Sequence, residues 1–281
     1  MDSLTRNTKQ ACCPYRDLYI YLVQGRVGQE DEVCLGEAFL GNWVEEEYSF
    51  LFFSSPSRDR IARLLAGRGD LAFVEEHHFP YEQWQGGGLE PLRIGPFLIE
   101  TPWERAEAGG EKLRIILDPG VVFGTGLHPT TRDCLSALAW LGERVCSGSV
   151  LDIGTGSGLL AIAAARLGAR EVTAVDLNPL CVKTARRNVG LNHLEGVVRV
   201  VEGDAKDYLR GNRDVVLANI HPEVIGGLLN NLRVLSAEWL ILSGLMRTQA
   251  RDVRTAIKRL GVRLIQEWDH EMTWYTLLVR K

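Results

Sequence analysis

From Leu113 to the C-terminus, short apolar runs alternate with longer stretches whose apolar residues recur at helical spacing. The pattern predicts strands at Ser149–Ile153, Glu171–Asp176, Val197–Glu202, Asp214–Ala218, Trp239–Ser243, Val262–Asp269 and Thr273–Val279. Between them it predicts helices at Thr130–Leu141, Gly158–Leu167, Pro179–Leu191, Pro222–Leu235 and Arg247–Leu260. Such alternation implies a doubly wound α/β fold, a parallel sheet covered by helices. The last two strands have only a turn near His270–Glu271 between them, so they should pair as an antiparallel hairpin.

The first part of the chain has a different rhythm. Leu18–Val23 and Trp43–Phe53 suit strands, with a polar, acidic stretch around Gly28–Glu32 between them. Ser57 is placed to cap a helix over Arg58–Leu65, and Leu71–Glu76 reads as a further strand. This is a small α+β unit. Gly86-Gly-Gly88 reads as a hinge or linker, followed by a strand or two at Leu92–Glu100 and a soft stretch at Glu104–Lys112. The expected division is an N-terminal unit at 1–85, a linker at 86–112 and a larger domain at 113–281.

Composition narrows the classes. With 46% apolar and 24% charged residues, 281 residues can build a core without metals or disulfides. A formal charge of −4 argues against a nucleic-acid sleeve and is compatible with a basic substrate. No apolar run is long enough to span a membrane, and Met1–Pro14 has no signal-peptide core. The six cysteines show no zinc-finger spacing. Cys134, Cys146 and Cys181 are expected to pack as small apolar groups, and the chain to be a reduced cytoplasmic monomer that binds neither DNA nor membrane and holds no metal.

The chemistry concentrates in Val150-Leu-Asp-Ile-Gly-Thr-Gly-Ser-Gly158, an apolar strand that runs through three glycines directly into a helix. Gly154 and Gly156 let the backbone turn tightly against a ligand, and the helix start offers free N–H groups. The spacing G-x-G-x-G differs from the G-x-G-x-x-G of pyrophosphate cradles, which disfavours a nicotinamide dehydrogenase. The next strand ends in Asp176, beside the glycine loop in an open α/β sheet and able to accept hydrogen bonds from two ribose hydroxyls. Asn178-Pro179 reads as a helix cap. Asp204, after the third strand, suits either an adenine amino group or a helix N-cap. Asn219 ends the fourth strand at the mouth of the sheet, where its amide can accept from an amine and donate to a carboxylate. It can equally cap the helix after Pro222.

Upstream, Leu117-Asp-Pro-Gly-Val-Val-Phe-Gly-Thr-Gly-Leu-His-Pro-Thr-Thr131 is too rich in Gly, Pro and Thr for a regular element. It reads as a ligand-covering loop, with Phe123, Gly124 and Thr125 facing a cofactor and Thr131 at the following helix start. His128 and His221 lie in loops where either a structural hydrogen bond or a proton-accepting role is open.

The joint occurrence of this loop, the Asp152-x-Gly-Thr-Gly-Ser-Gly158 turn and Ala218-Asn-Ile220 resembles the ribosomal protein L-eleven methyltransferases, the PrmA family. The resemblance runs from about Leu89 to the C-terminus, with Trp84 and Trp103 resembling that family's linker region. It implies a seven-stranded class I methyltransferase sheet behind a small substrate-recognition domain, with S-adenosyl-L-methionine as cofactor. By matching motifs it makes Thr131, Gly154, Asp176 and Asn219 cofactor contacts. The implied activity is methylation of lysine side chains, and of an α-amine, on a large-subunit ribosomal protein, with Asn219 as the catalytic residue. The residues before about Gln85 match the family only loosely. A methyltransferase of another protein or a small molecule, and a non-catalytic cofactor-binding scaffold, are the rival readings.

Overall fold

The computed structural model describes residues 13–104, 113–231 and 236–281. Its first elements are β1 (Asp17–Gln24), α1 (Gln29–Glu32), β2 (Phe39–Glu45), β3 (Tyr48–Phe53), α2 (Arg58–Gly67), β4 (Ala72–Pro80) and α3 (Tyr81–Gln85). Three short strands follow, β5 (Leu92–Ile94), β6 (Phe97–Glu100) and β7 (Leu113–Ile116). The rest alternates: α4 (Pro129–Leu141), β8 (Ser149–Ile153), α5 (Leu159–Arg166), β9 (Glu171–Asp176), α6 (Pro179–Leu191), β10 (Val198–Glu202) and β11 (Asn212–Asn219). It ends with α7 (Pro222–Asn230), β12 (Ser236–Met246), α8 (Arg247–Arg259), β13 (Arg263–His270) and β14 (Trp274–Arg280).

The large sheet has the order β10-β9-β8-β11-β12-β14-β13, seven strands in all. Neighbours from β10 to β12 run parallel, while β14 lies antiparallel between β12 and β13. The expected C-terminal hairpin is present. Its three-residue loop puts Glu271 and Met272 at positive φ (51° and 54°), with Thr273 N–H donating to the His270 carbonyl at 2.9 Å.

Alternate residues of the central strands feed two cores, as a period of two demands. Val150, Val215 and Leu217 pack with α4, α5 and α6. Leu151, Val216 and Ala218 pack with α7 and α8 on the opposite face. Both faces being covered, β8 is buried at every position. Cys134 and Cys181 are buried as expected; Cys146 is not, because it sits exposed in the loop between α4 and β8.

In the N-terminal sheet, β2-β3-β1-β4, the central strands β1 and β3 are covered on both faces, while β4 is largely exposed. Tyr21, Val23, Leu51 and Phe53 pack against Ile61 and Leu64 of α2. The other face of β1, Leu18 and Ile20, joins Tyr81, Trp103, Val121 and Leu180 in a core shared with the larger unit. The continuous strand expected at Trp43–Phe53 is two strands instead. Glu46 takes φ 51° and reverses the chain, because Glu45–Glu47 has no apolar alternation to hold a strand on the sheet. The acidic stretch after Gly28 forms α1, and a short helix not foreseen in the sequence, α3, ends the N-terminal unit just before the expected linker. Gly86 is the left-handed cap of α3 (φ 81°), its N–H donating to Gln83 at 3.2 Å. The expected stretch at Glu104–Lys112 and the predicted end of α7 at residues 232–235 lie almost wholly outside the described residues. Among the described residues, no helix is long and apolar enough to cross a membrane.

Candidate cofactor and methyl-transfer site

The carboxyl ends of β8, β9, β10 and β11 open into a cleft of about 1190 Å³. Gly154, Gly156, Asp176, Glu202 and Asn219 line one wall, and Asn42 and Trp43 of the N-terminal sheet face them. This is where open α/β sheets place ligands, because the loops that leave the strands diverge there.

The glycine turn is locked from three directions. Gly156 N–H donates to Asp176 Oδ2 at 2.9 Å, and Asn178 N–H donates to the other carboxylate oxygen at 2.9 Å. Burial nonetheless raises the Asp176 carboxyl above its usual range, against these backbone donors. Ser157 N–H donates to the Phe123 carbonyl at 3.0 Å, and its hydroxyl to the Gly124 carbonyl at 2.6 Å. Gly156 has φ 55°, and a Cβ there would stand 2.6 Å from the Phe123 carbonyl oxygen. Only glycine lets the two loops meet this closely. Beneath the turn, the fully buried Asp152 accepts the Thr155 hydroxyl at 2.6 Å, and burial pushes its carboxyl up to about 7.

Asn219 ends β11 with its Nδ2 donating to Thr131 Oγ1 at 3.4 Å. That fixes the amide roll and leaves its carbonyl as the acceptor beside Gly244. Thr131 itself is buried, so it acts from beneath Asn219 and does not line the cleft. Phe123 is half exposed and lines both this cleft and a neighbouring one, whereas Gly124 and Thr125 face only the neighbour. Asp204 stands outside the lining: it caps a short 3₁₀ turn through Lys206 N–H at 2.9 Å, the second of the two roles its position allowed. Glu202, two residues earlier, lines the cleft instead. His128 caps α4, its Nδ1 lying 2.8 Å from the Thr130 hydroxyl, and burial lowers its pKa. His221 is exposed and makes no capping bond.

Sequence reasoning missed Asn188, which ties the two loops together. Its Oδ1 accepts Asp118 N–H at 2.8 Å, and its Nδ2 donates to the carbonyls of Asp118 at 2.9 Å and Ser157 at 2.8 Å. One turn on, Asn192 hydrogen bonds Ile116 in the same paired way, at 3.0 and 2.6 Å. Two fully buried amides at i, i+4 on an otherwise apolar helix face were the available signal. The N-terminal unit grips the same loop. Tyr15 donates to Asp118 at 3.2 Å, and Tyr81 and Gln85 donate to the Gly120 carbonyl, Gln85 at 2.9 Å. Burial beside Asp118 pushes the Tyr15 hydroxyl up to about 12, so it stays a donor.

The family model described as ribosomal protein L11 methyltransferase (PrmA) matches residues 71–281. The chain belongs to the PrmA family. A PrmA relative from Carboxydothermus hydrogenoformans, named ribosomal protein L11 methyltransferase, is 38% identical over 197 residues, covering 69% of this chain and 63% of that protein. One of the same name from Anoxybacillus flavithermus is 37% identical over 252 residues, 87% of this chain and 77% of that protein. The matched region spans less than two thirds of the first of these relatives. A solved PrmA structure, the ribosomal protein L11 methylase of Lactobacillus delbrueckii subsp. bulgaricus, superposes with a TM-score of 0.61 at 27% identity, over 68% of this chain and 99% of that one. The seven-stranded methyltransferase sheet expected from the sequence is therefore the family's fold.

Proposed function

We propose that this chain is an S-adenosylmethionine-dependent protein methyltransferase whose acceptors are lysine side-chain amines, with an α-amine as a second acceptor type, on the large-subunit ribosomal protein L11. One observation carries the reading: the Asp176–Gly156 clamp and the Thr131-oriented amide of Asn219 open onto the same cleft. The names of the PrmA relatives support the choice of substrate. The donor set fits the cofactor. Asp176 is free to accept ribose hydroxyls with its remaining lone pairs, and Gly156, packed on the Phe123 carbonyl, presents bare backbone to the cleft.

The cofactor supplies a methyl group activated on a positively charged sulfur. The chain's part is to position and to desolvate. Asn219 Oδ1 accepts an N–H of the acceptor amine and aims its lone pair. An exposed lysine costs about 4.6 kcal/mol to deprotonate at pH 7. A cleft walled by Trp43 and Phe123 lowers that cost by disfavouring the ammonium form. The step needs no general base among the site residues, since the proton leaves to water before transfer.

Residues 1–85 form the substrate-recognition unit in this reading, 86–112 the connection and 113–281 the catalytic domain of a cytoplasmic monomer that binds neither DNA nor membrane. The test is transfer of label from radiolabelled S-adenosylmethionine to recombinant, unmethylated L11 among other ribosomal proteins. A single labelled band at L11 is expected. Label elsewhere rejects L11 as the substrate, and cofactor binding without label on any protein rejects the protein-methyltransferase reading.

A further inference from the structure

A second cleft, of about 600 Å³, lies on the other side of Phe123 and Trp43. Its walls are aromatic and come from both parts of the chain: Phe50 and Phe52 on β3, Trp84 on α3, and Leu127 on the cofactor-side loop. Phe52 and Phe79 fix Trp84 by ring contacts at 5.6 and 6.3 Å, yet 39% of Trp84 remains exposed. Large aromatic side chains held rigid and left half in water are the usual anchors of recognition surfaces.

One edge of this cleft carries net negative charge, three carboxylates beside the single guanidinium of Arg26, whose Nε donates to the Glu46 carbonyl at 3.1 Å. Glu45 lines the cleft, and Glu46 and Glu47 follow in the β2–β3 turn, all three exposed. None of these carboxylates has an ion-pair partner among the described residues. Three exposed carboxylates against one guanidinium leave this edge net negative, a surface complementary to a cationic partner.

Resting on the function proposed above, we infer that this cleft docks the peptide segment that carries the acceptor lysine, one large apolar side chain of that segment filling the aromatic floor and flanking Lys or Arg residues meeting Glu45–Glu47. Phe123 and Trp43 line both clefts, so a segment seated here adjoins the cleft that Asn219 lines. A small amine has no use for such a surface. The site thus selects a protein acceptor.

The test compares the full-length protein with two variants, the triple charge reversal E45K/E46K/E47K and Trp84→Ala, using recombinant unmethylated L11 as the probe. Trp84→Ala should raise KM for L11 about 30-fold, the cost of truncating an interface anchor. The charge reversal should raise KM about tenfold at low salt, and the gap should close at high salt. Affinity for S-adenosylhomocysteine and kcat should stay within twofold in both, which a merely misfolded variant would not show. KM unchanged in both variants, while the unaltered protein methylates L11, overturns this inference alone. A chain that binds cofactor and labels no protein overturns the function and this inference together. A dimeric chain that becomes monomeric on Trp84→Ala gives the cleft to a second copy and overturns it too.

Discussion

Replacing Asn188 with alanine tests whether the two cofactor-facing loops act as one body. Asn188 is fully buried and makes three hydrogen bonds to backbone groups, Asp118 N–H and the carbonyls of Asp118 and Ser157. Alanine leaves all three without these partners. A buried polar group stripped of its partner costs about 1–3 kcal/mol. Alanine gives back only about 0.5 kcal/mol of helix propensity. Partial relaxation of the helix and loop around the emptied side-chain volume recovers some of this. The net loss should be about 3–5 kcal/mol. The Ser157 carbonyl belongs to the glycine turn, so the loss should also reach the cofactor, weakening S-adenosylhomocysteine binding about tenfold or more. Urea unfolding gives the first quantity and titration calorimetry the second. Asn188→Asp keeps the acceptor for Asp118 N–H and loses both donors, so it should damage the protein too. A stability loss below about 1 kcal/mol with unchanged cofactor affinity would refute the argument, because it would mean that the loops hold their spacing without the amide.

Three further outcomes follow from the site. Asp176→Ala removes the partner of Gly156 N–H and the expected ribose acceptor, and should weaken S-adenosylhomocysteine binding about 30-fold or more by calorimetry; unchanged affinity rejects the ribose assignment. Asn219→Ala should lower kcat for L11 by about 100-fold with cofactor affinity nearly kept, and an equal loss in both would make Asn219 a cofactor ligand only. The buried Asp152 carboxyl titrates at about 7, against 3.8 for the unperturbed group. The folded state therefore binds the extra proton between these values, and the contribution of Asp152 to stability is full below about pH 4 and lost as pH rises toward 7. Asp152→Asn should flatten that decline, gaining more stability over wild type at pH 8 than at pH 5 in thermal unfolding, and the opposite order would reject buried, unfavourable ionisation.

The parts of this protein legible in its sequence are those that a local rule determines. The strands of the large sheet and α6 could be placed because burial on both faces makes β8, β9 and β11 short, mostly apolar, β-branched-rich stretches, and Asn178-Pro179 caps α6 with the Asn178 side chain on Leu180 N–H at 2.9 Å. Asp176, Gly154, Gly156 and Asn219 could be placed because a strand end beside a glycine turn has one location in this topology. What escaped depends on contacts between distant segments. Asn188 lies 70 residues from Asp118 in sequence, and its role exists only once α6 has packed beside that loop. The choice of Glu202 over Asp204 as a cleft residue turns on which way the chain bends after β10, and Asp204 was taken by a cap that needed only its near neighbour Lys206. Trp43 reads locally as a strand residue, and Trp84 is placed only by its resemblance to the family's linker region. They become two walls of one cleft because β1 buries its second face against the larger unit, through Leu18 and Ile20. That shared core also limits how the N-terminal unit can work. With Tyr15 on Asp118 and Tyr81 on Gly120, the unit cannot shift its aromatic cleft without pulling on the loop that contacts Ser157. On the docking inferred above, a protein acceptor that settles against Trp84 would act on the same Asp118–Gly124 loop that Asn188 holds to the glycine turn.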